Sequence, residues 1–297
     1  TGRAEIIIGG GQESMSNCPY SLPDMRWGNR MGLPNGRAVD LMVYDGLWDA
    51  FYNRHMAIHG SETGDEFGFT KADQDEWAYT SQMRAVEAMK AGRLNDEIFP
   101  VEIKKGKETI IFDKDEGPRP GTTMEGLAKL PPVFNHKSTV TGKPGSVTAG
   151  NAPGVNDGGD VCLVMSAEKA KALGMKPLFT ILDYAEVSQP TKDIATVPGL
   201  SIKKVLEQND LSLDKVDLIE INEAFAAVTL VSLKMLAKDD STKWQVLQDK
   251  TNVNGGAIAI GHPVGASGAR ITMTMMYELM RRGGGLGVAA ICGGLSQ

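Results

Sequence analysis

Cysteine is scarce in this sequence, long apolar runs are missing, and positive charge is not in excess; each shortage removes a class of protein. Three cysteines in 297 residues, Cys18, Cys162 and Cys292, are too few and too scattered for a disulfide framework or a zinc site. A reducing cytoplasm is therefore the expected compartment, and no metal is expected. No apolar run reaches the ~18 residues that a membrane-spanning helix needs, and no signal or transit peptide is visible. With a formal net charge of −6, neither nucleic acid nor an anionic membrane is the expected partner. What the chain has in excess is glycine, at 35 of 297 residues, against about 7% in an average protein. Glycine is the residue of special backbone geometry, so the places where it gathers matter.

An apolar content of 41% and 23% charge describe a folded chain, long enough for two domains. A strand-like run, Ala4-Glu5-Ile6-Ile7-Ile8, comes first, and Gly9-Gly10-Gly11 is expected to end it. From Gln12 to about Thr70 the sequence is rich in Pro, Gly, Asn and aromatics without a sustained period, which reads as a long ordered excursion. Thr70 and Asp73 have the spacing of a capping box opening a helix, and Gly92 follows its last turn. Strands are expected at Ile98–Ile103 and Thr109–Phe112, then a Pro/Gly-rich stretch from Gly117 to Pro132. After a short extended run at Ser146–Gly150 and a loop of turn formers, strands and helices alternate. The expected strands are Asp160–Met165, Leu178–Val187, Val216–Ile221 and Leu286–Cys292; the expected helices are Ser166–Leu173, Ile202–Gln208, Glu223–Ala237 and Ser267–Arg282. Such alternation predicts a layered α/β fold.

Three segments concentrate unusual residues at strand ends. In the first, Asn222 and Glu223 follow a strand and precede a helix, where α/β folds place ligands. The same pair also suits a helix N-cap and a first-turn acid that complements the dipole. In the second, five glycines between Gly255 and Gly268 surround His262. Imidazole is the usual proton carrier near neutral pH, although a structural histidine in a glycine-rich turn has the same pattern. The third, Ile291-Cys292-Gly293-Gly294, offers a thiol beside exposed backbone N–H donors. Cys292 is equally readable as an inert core residue.

Taken together, three patterns resemble the thiolase family of acyl-CoA acetyltransferases: Asn222-Glu223-Ala224-Phe225; Asn254-Gly255-Gly256 followed by Gly261-His262-Pro263, Gly265, Ser267-Gly268 and Arg270; and Cys292-x-Gly294. Gly10-Gly11-Gln12-Glu13-Ser14-Met15-Ser16 and Val147-Thr148-Ala149-Gly150-Asn151 look like two further thiolase signatures, in the family's order along the whole chain. The resemblance implies a thiolase-like α/β fold of two similar layered domains. Residues 1–173 would be the remainder of the first, with a loop domain inserted at about 12–145, and residues 174–297 the second. It implies a ping-pong transfer in which a cysteine takes the acyl group and a second acyl-CoA forms or releases a carbon–carbon bond, with acetyl-CoA or acetoacetyl-CoA as the expected substrate. His262 would deprotonate the nucleophile and bind the thioester oxygen, and Asn222 would hold a water of that oxyanion hole. Cys292 would move the α-proton, as a thiol whose reference pKa of ~8.5 neighbours could lower, and the Gly294 N–H would serve a second oxyanion hole. His55, Met56, Arg119, Phe134, Ala149 and Phe225 would contact CoA, with His55 pointing to short acyl chains; read locally, His55 is a packing residue in an aromatic-rich loop. CoA thioesters are substrates and no permanent cofactor is implied; a homodimer or homotetramer is.

The match has departures. Thiolases carry the nucleophilic cysteine ahead of the Gly-Gly-Gln-Glu-Ser segment, and this chain opens at the strand before it; Cys18 lies beyond the segment and is not the nucleophile. Family members also continue past the last glycine turn. The expectation is a piece of a longer protein, or a companion chain supplying the missing elements, with these residues alone inactive. Pro153 stands where a CoA-contacting serine is usual, Leu295-Ser296 replace part of a glycine run, and Ala57-Ile58-His59-Gly60 leave the common pattern. The rival reading is a noncatalytic thiolase-like protein that binds acyl-CoA or lipid, or serves as a complex subunit.

Overall fold

The computed structural model describes residues 4–28, 37–294 and 296–297; Leu295, one of the family departures, falls outside the described residues. Strand β1 (Ile6–Ser14) pairs antiparallel with β8 (Asp157–Met165), and β9 (Leu218–Ile221) pairs in parallel with β10 (Gly287–Ala290). Between β1 and β8 lie the two-residue pairs β2 (Tyr20–Ser21) with β3 (Val39–Asp40) and β4 (Trp48–Asp49) with β5 (Arg54–His55). A hairpin of β6 (Val101–Lys105) and β7 (Glu108–Phe112) follows them, exposed along both strands. The helices are α1 (Leu41–Gly46), α2 (Met56–Glu66), α3 (Lys71–Lys90), α4 (Met124–Ala128), α5 (Ala167–Ala172), α6 (Val197–Gln208), α7 (Ala226–Ala237), α8 (Ser241–Asp249), α9 (Ala257–Ile260) and α10 (Ser267–Arg281). The fold is α/β, and among the described residues no helix is long and apolar enough to cross a membrane.

The core centres on α7. Its Ala226, Ala227, Val228, Leu230, Val231 and Leu233 are all buried, so it is apolar on every side, as a helix packed by others all round must be. Helices α2, α3, α6 and α8 pack around it. Helix α3 begins as the sequence predicts: Thr70 and Asp73 form a reciprocal capping box. Its buried face, including Trp77, Ala78, Ser81 and Ala85, looks toward α7 and α9.

Four expectations change. The glycine triplet does not end the first strand: β1 runs through Gly9, Gly10 and Gly11 to Ser14, in register with Cys162, Val161 and Asp160. Backbone approach explains the composition, since a Cβ on Gly11 would run into the Gly265 carbonyl. The run Leu178–Val187 forms no ladder among the described residues, although its alternation is strand-like. A strand needs a neighbour as well as a pattern, and here Ile181, Leu182 and Tyr184 lie exposed beside α6 and α10. The helix expected from Glu223 starts only at Ala226, because residues 222–225 are pinned in a turn. Conversely, the supposedly aperiodic stretch before Thr70 holds α2. Its sequence Met-Ala-Ile-His-Gly-Ser-Glu-Thr-Gly has poor intrinsic propensity, and eight of its eleven residues are buried, so packing makes the helix.

Two neighbouring glycines of β1 give a contrast in stability. A Cβ at Gly9 would meet only the Cys162 Sγ, at 3.7 Å, so Gly9→Ala is expected to shift unfolding free energy by less than ~1 kcal/mol. Gly11→Ala meets backbone that cannot retreat and is expected to cost about 1–3 kcal/mol. Urea denaturation of both variants checks this; equal midpoints would refute the close-approach explanation.

Candidate active site

The site lies where α/β sheets place ligands, at the carboxyl ends of the parallel strands β9 and β10. Ile221 is in register with Ala290, and the Asn222 N–H donates to the Ala290 carbonyl at 2.9 Å, so Asn222 and the Cys292 segment leave the sheet side by side. On the other flank of β9, Asn252 adopts a left-handed backbone (φ 47°) and uses its side chain as a ladder rung. Its Oδ1 accepts from Ile221 N–H at 2.9 Å and its Nδ2 donates to the Ile221 carbonyl at 2.8 Å.

Glu223 is neither an N-cap partner nor a surface acid. It has no solvent contact and accepts four hydrogen bonds: Trp77 Nε1 (2.9 Å), Asn252 Nδ2 (2.9 Å), Ser81 Oγ (2.8 Å) and the Ile258 N–H (3.0 Å). These donors saturate both oxygens, which is what a buried carboxylate requires. They also explain Gly256, where a Cβ would occupy the space of the Glu223 carboxylate. The Asn222 side chain likewise caps no helix.

His262 is reached from this frame through α9. Its backbone N–H donates to Asn156 Oδ1 (3.0 Å), its Nδ1 contacts Ser267 Oγ (2.6 Å) and its Nε2 contacts Asn222 Nδ2 (3.3 Å). The Ser267 hydroxyl donates to the Pro263 carbonyl at 3.0 Å, so Nδ1 carries the proton toward Ser267 and Nε2 keeps its lone pair. Burial, with the Arg270 charge adding to it, pushes the His262 pKa down to about 4. At neutral pH the side chain is therefore a base with one fixed tautomer. Asn222 Oδ1 is buried and accepts no hydrogen bond from the described residues.

Cys292 is 8% exposed, and burial pushes its thiol up to about 12. The expectation that neighbours lower this thiol is overturned: desolvation dominates, and the group is a neutral S–H at physiological pH. Gly294 is exposed, two residues on, and a Cβ there would sit 3.4 Å from Met56 Cε. His55 caps α2, accepting from Ala57 N–H at 3.0 Å, and its ring packs on Phe134 with centroids 4.5 Å apart. Burial holds its pKa down at about 4. Phe225 and Met56 belong to the same apolar cluster as Cys292. Ala149 is exposed at the apex of a loop that Asn151 ties to α3 and α7, through Asp75 Oδ1 (2.9 Å) and Ala226 N–H (2.9 Å). Arg119 is exposed too, with its backbone N–H held by Gln82 Oε1 at 2.8 Å. The structure thus joins Asn222 with His262, His55 with Phe134, and Met56 with Gly294. Asn156, Asn252 and the positioning role of Ser267 were not singled out from sequence, since nothing in a turn-former loop or a helix start marks which amide or hydroxyl will meet an imidazole.

This geometry defines an α/β protein with Asn222 and a neutral thiol at adjoining strand ends and a neutral histidine base, delivered by α9, against Asn222. Residues 1–168 match the family described as thiolase, N-terminal domain, and residues 175–297 match thiolase, C-terminal domain. An acetyl-CoA acetyltransferase of Syntrophomonas wolfei is 45% identical over 98% of this chain and 70% of that protein. One of Pseudomonas aeruginosa is 44% identical over 100% of the chain and 71% of its relative. Among solved structures, Bacillus anthracis acetyl-CoA acetyltransferase superimposes with a TM-score of 0.88 at 40% identity, covering 99% of this chain and 70% of that one. Human mitochondrial 3-ketoacyl-CoA thiolase gives 0.87 at 37% identity, with 99% and 70% covered. The chain belongs to the thiolase family.

Both histidines are neutral in the fold and protonate in the unfolded chain below about 6.5. The unfolded state therefore binds more protons between about pH 4 and 6.5, and stability falls as pH drops through that window, by at most ~1.4 kcal/mol per unit for each group. An NMR titration of His262 is expected to show a midpoint near 4; one near 6.5 would contradict its environment. Glu223→Gln places an amide NH2 against fixed donors and is expected to cost about 3 kcal/mol by chemical denaturation; a cost under ~0.5 kcal/mol would remove Glu223 as the anchor.

Proposed function

We propose that His262, Asn222, Cys292 and Gly294 form the reaction centre of a CoA-dependent acyl transfer, with acetyl-CoA and acetoacetyl-CoA as substrates. The observation that carries the reading is the His262 tautomer: a neutral imidazole, oriented by Ser267, with its Nε2 lone pair turned toward the Asn222 amide. That lone pair takes the proton of an attacking thiol, making the thiolate that opens the thioester. Charge then develops on the thioester oxygen, and a water held by Asn222 next to His262 supplies donors to it; the unpaired Asn222 Oδ1 supports such a water. Cys292, a neutral thiol, gives its proton to the α-carbon of the departing enolate in cleavage. In synthesis it first gives that proton to the CoA thiolate released on acylation, and the Cys292 thiolate so formed takes the α-proton of the second acyl-CoA. The Gly294 N–H stabilises the enolate oxygen meanwhile.

In this reading His55, Met56, Phe134, Phe225, Ala149 and Arg119 line the path of CoA. The packed His55–Phe134 pair and the Met56–Gly294 neighbourhood support it. Residues 1–173 and 174–297 then act as two domains, with the insertion at about 12–145 carrying much of the CoA wall, in a homodimer or homotetramer. Relatives bearing acetyl-CoA acetyltransferase names favour the short acyl group.

Acetyl-CoA added to the protein in its natural full length is expected to release CoA and leave a covalent acetyl adduct by intact mass. His262→Ala is expected to slow acylation by about 10²–10⁴-fold with CoA binding largely kept. Cys292→Ser should acylate normally and fail in the carbon–carbon step. CoA binding with no transfer by the unaltered protein would instead establish the noncatalytic reading.

A further inference from the structure

One buried polar cluster is not used by this chemistry. His59, on the first turns of α2, has no solvent contact. Its Nε2 lies 2.7 Å from Asp49 Oδ2, and its Nδ1 lies 2.9 Å from the Arg54 guanidinium. Arg54 can only donate, so Nδ1 accepts and Nε2–H donates to Asp49; the ring is neutral and its tautomer is fixed. Arg54 continues the chain to Glu62 Oε2 at 2.7 Å, and Glu62 Oε1 accepts from Thr139 N–H (3.0 Å) and Oγ1 (2.8 Å). Asp49 accepts in addition from Thr191 Oγ1 (2.6 Å) and from the N–H groups of Phe51 and Tyr52. Tyr52 stands edge-on to the His59 ring, with centroids 5.4 Å apart.

The ends of this chain matter. Glu62 holds the loop that bears Phe134, and Arg54 directly precedes His55 and Met56. At the other end, the Thr191 carbonyl accepts from Ser296 Oγ at 2.7 Å, and the Ser296 carbonyl accepts from Gln189 N–H at 3.0 Å. The network therefore fastens the turn after Gly294 to the segment carrying His55 and Met56, across two parts of the chain far apart in sequence. A long, largely buried chain of directional hydrogen bonds fixes distances more tightly than apolar contact does. His59 itself lies in Ala57-Ile58-His59-Gly60, one of the stretches where the sequence leaves the common family pattern.

We infer that His59 is a positioning residue: wedged between Arg54 and Asp49, it sets the spacing between the His55–Phe134 wall and the Gly293–Gly294 turn, and so the grip on the CoA part of the substrate. This inference rests on the acyl-transfer reading above. It requires that disturbing His59 harm recognition of CoA more than it harms acylation at the thioester, because the His262 and Asn222 geometry that serves acylation is anchored separately by Glu223 and Ser267.

The test compares acetyl-CoA with the acetyl thioester of N-acetylcysteamine, which lacks the nucleotide part of CoA. For His59→Leu in the full-length protein, kcat/KM on acetyl-CoA is expected to fall about tenfold, mainly through KM. On the truncated thioester it should stay within about twofold of wild type. His59→Gln, which keeps a donor toward Asp49, should recover most of the loss. A merely structural role lowers the active fraction and so depresses both substrates alike; an unchanged ratio overturns the inference even if the variant melts earlier. Should His59→Leu fail to fold, Thr191→Val decides: the ratio is expected to fall roughly threefold, and an unchanged ratio again overturns it. If the wild type transfers from neither thioester, the acyl-transfer reading falls and this inference with it. If the wild type transfers from both and the variants keep its ratio, the inference falls alone.

Discussion

A carboxylate sealed from water must be met by donors on every side, and Glu223 draws its four from three separate pieces of chain. Trp77 and Ser81 come from α3, Asn252 from the segment flanking β9, and the Ile258 N–H from α9. Each of these pieces then carries something else. Asn252 completes the ladder of Ile221 and thereby fixes where β9 stops and Asn222 begins. Helix α9 delivers the backbone to Gly261 and His262. Ser81, while donating to Glu223, accepts from Gly256 N–H at 3.0 Å, so the glycine turn is held from two directions. Without this anchor, the turn at 222–225 has no reason to resist becoming the first turn of α7.

Burial then sets the chemistry. The same loss of solvation acts in opposite directions on a base and an acid: it drives the His262 imidazole to about 4 and the Cys292 thiol to about 12. Both groups are consequently uncharged at neutral pH, one ready to accept a proton and the other to give one. Arg270 reinforces the state of His262 by placing a fixed positive charge nearby. A site assembled from neutral partners gains its charge only as the reaction proceeds, when fixed donors are worth most.

Much of this was legible in the residues. The capping box at Thr70 and Asp73, the stop at Gly92 (φ 69°) and the serine cap of α5 are local signals, and each formed. The strand ends carrying Asn222 and Cys292 were readable because apolar runs broke off at polar or glycine residues. Helix α2 was not readable, since its glycines and serine weaken propensity and only contact with α7 and with residues 191–196 repays that. The run 178–187 failed in the opposite sense: its pattern was that of a strand, yet pairing is a property of neighbours. Glu223 was visible as a residue of interest, but its ordinary role as a first-turn acid was equally consistent with the sequence.

The sequence by itself determined the identities that chemistry needs, namely one histidine and one thiol among glycines, and the α/β order of elements that brings strand ends forward. Only the tertiary structure decided their states. Which nitrogen of His262 is bare depends on Ser267 and Asn222. Whether Cys292 is thiol or thiolate depends on how little water reaches it. Whether His59 packs or braces depends on Asp49, Arg54 and Thr191 converging from separate segments. Hydrogen-bond direction and desolvation are set by neighbours in space, and for these residues the neighbours that decide include Asn222, 40 positions from His262, and Thr191, 142 positions from Asp49.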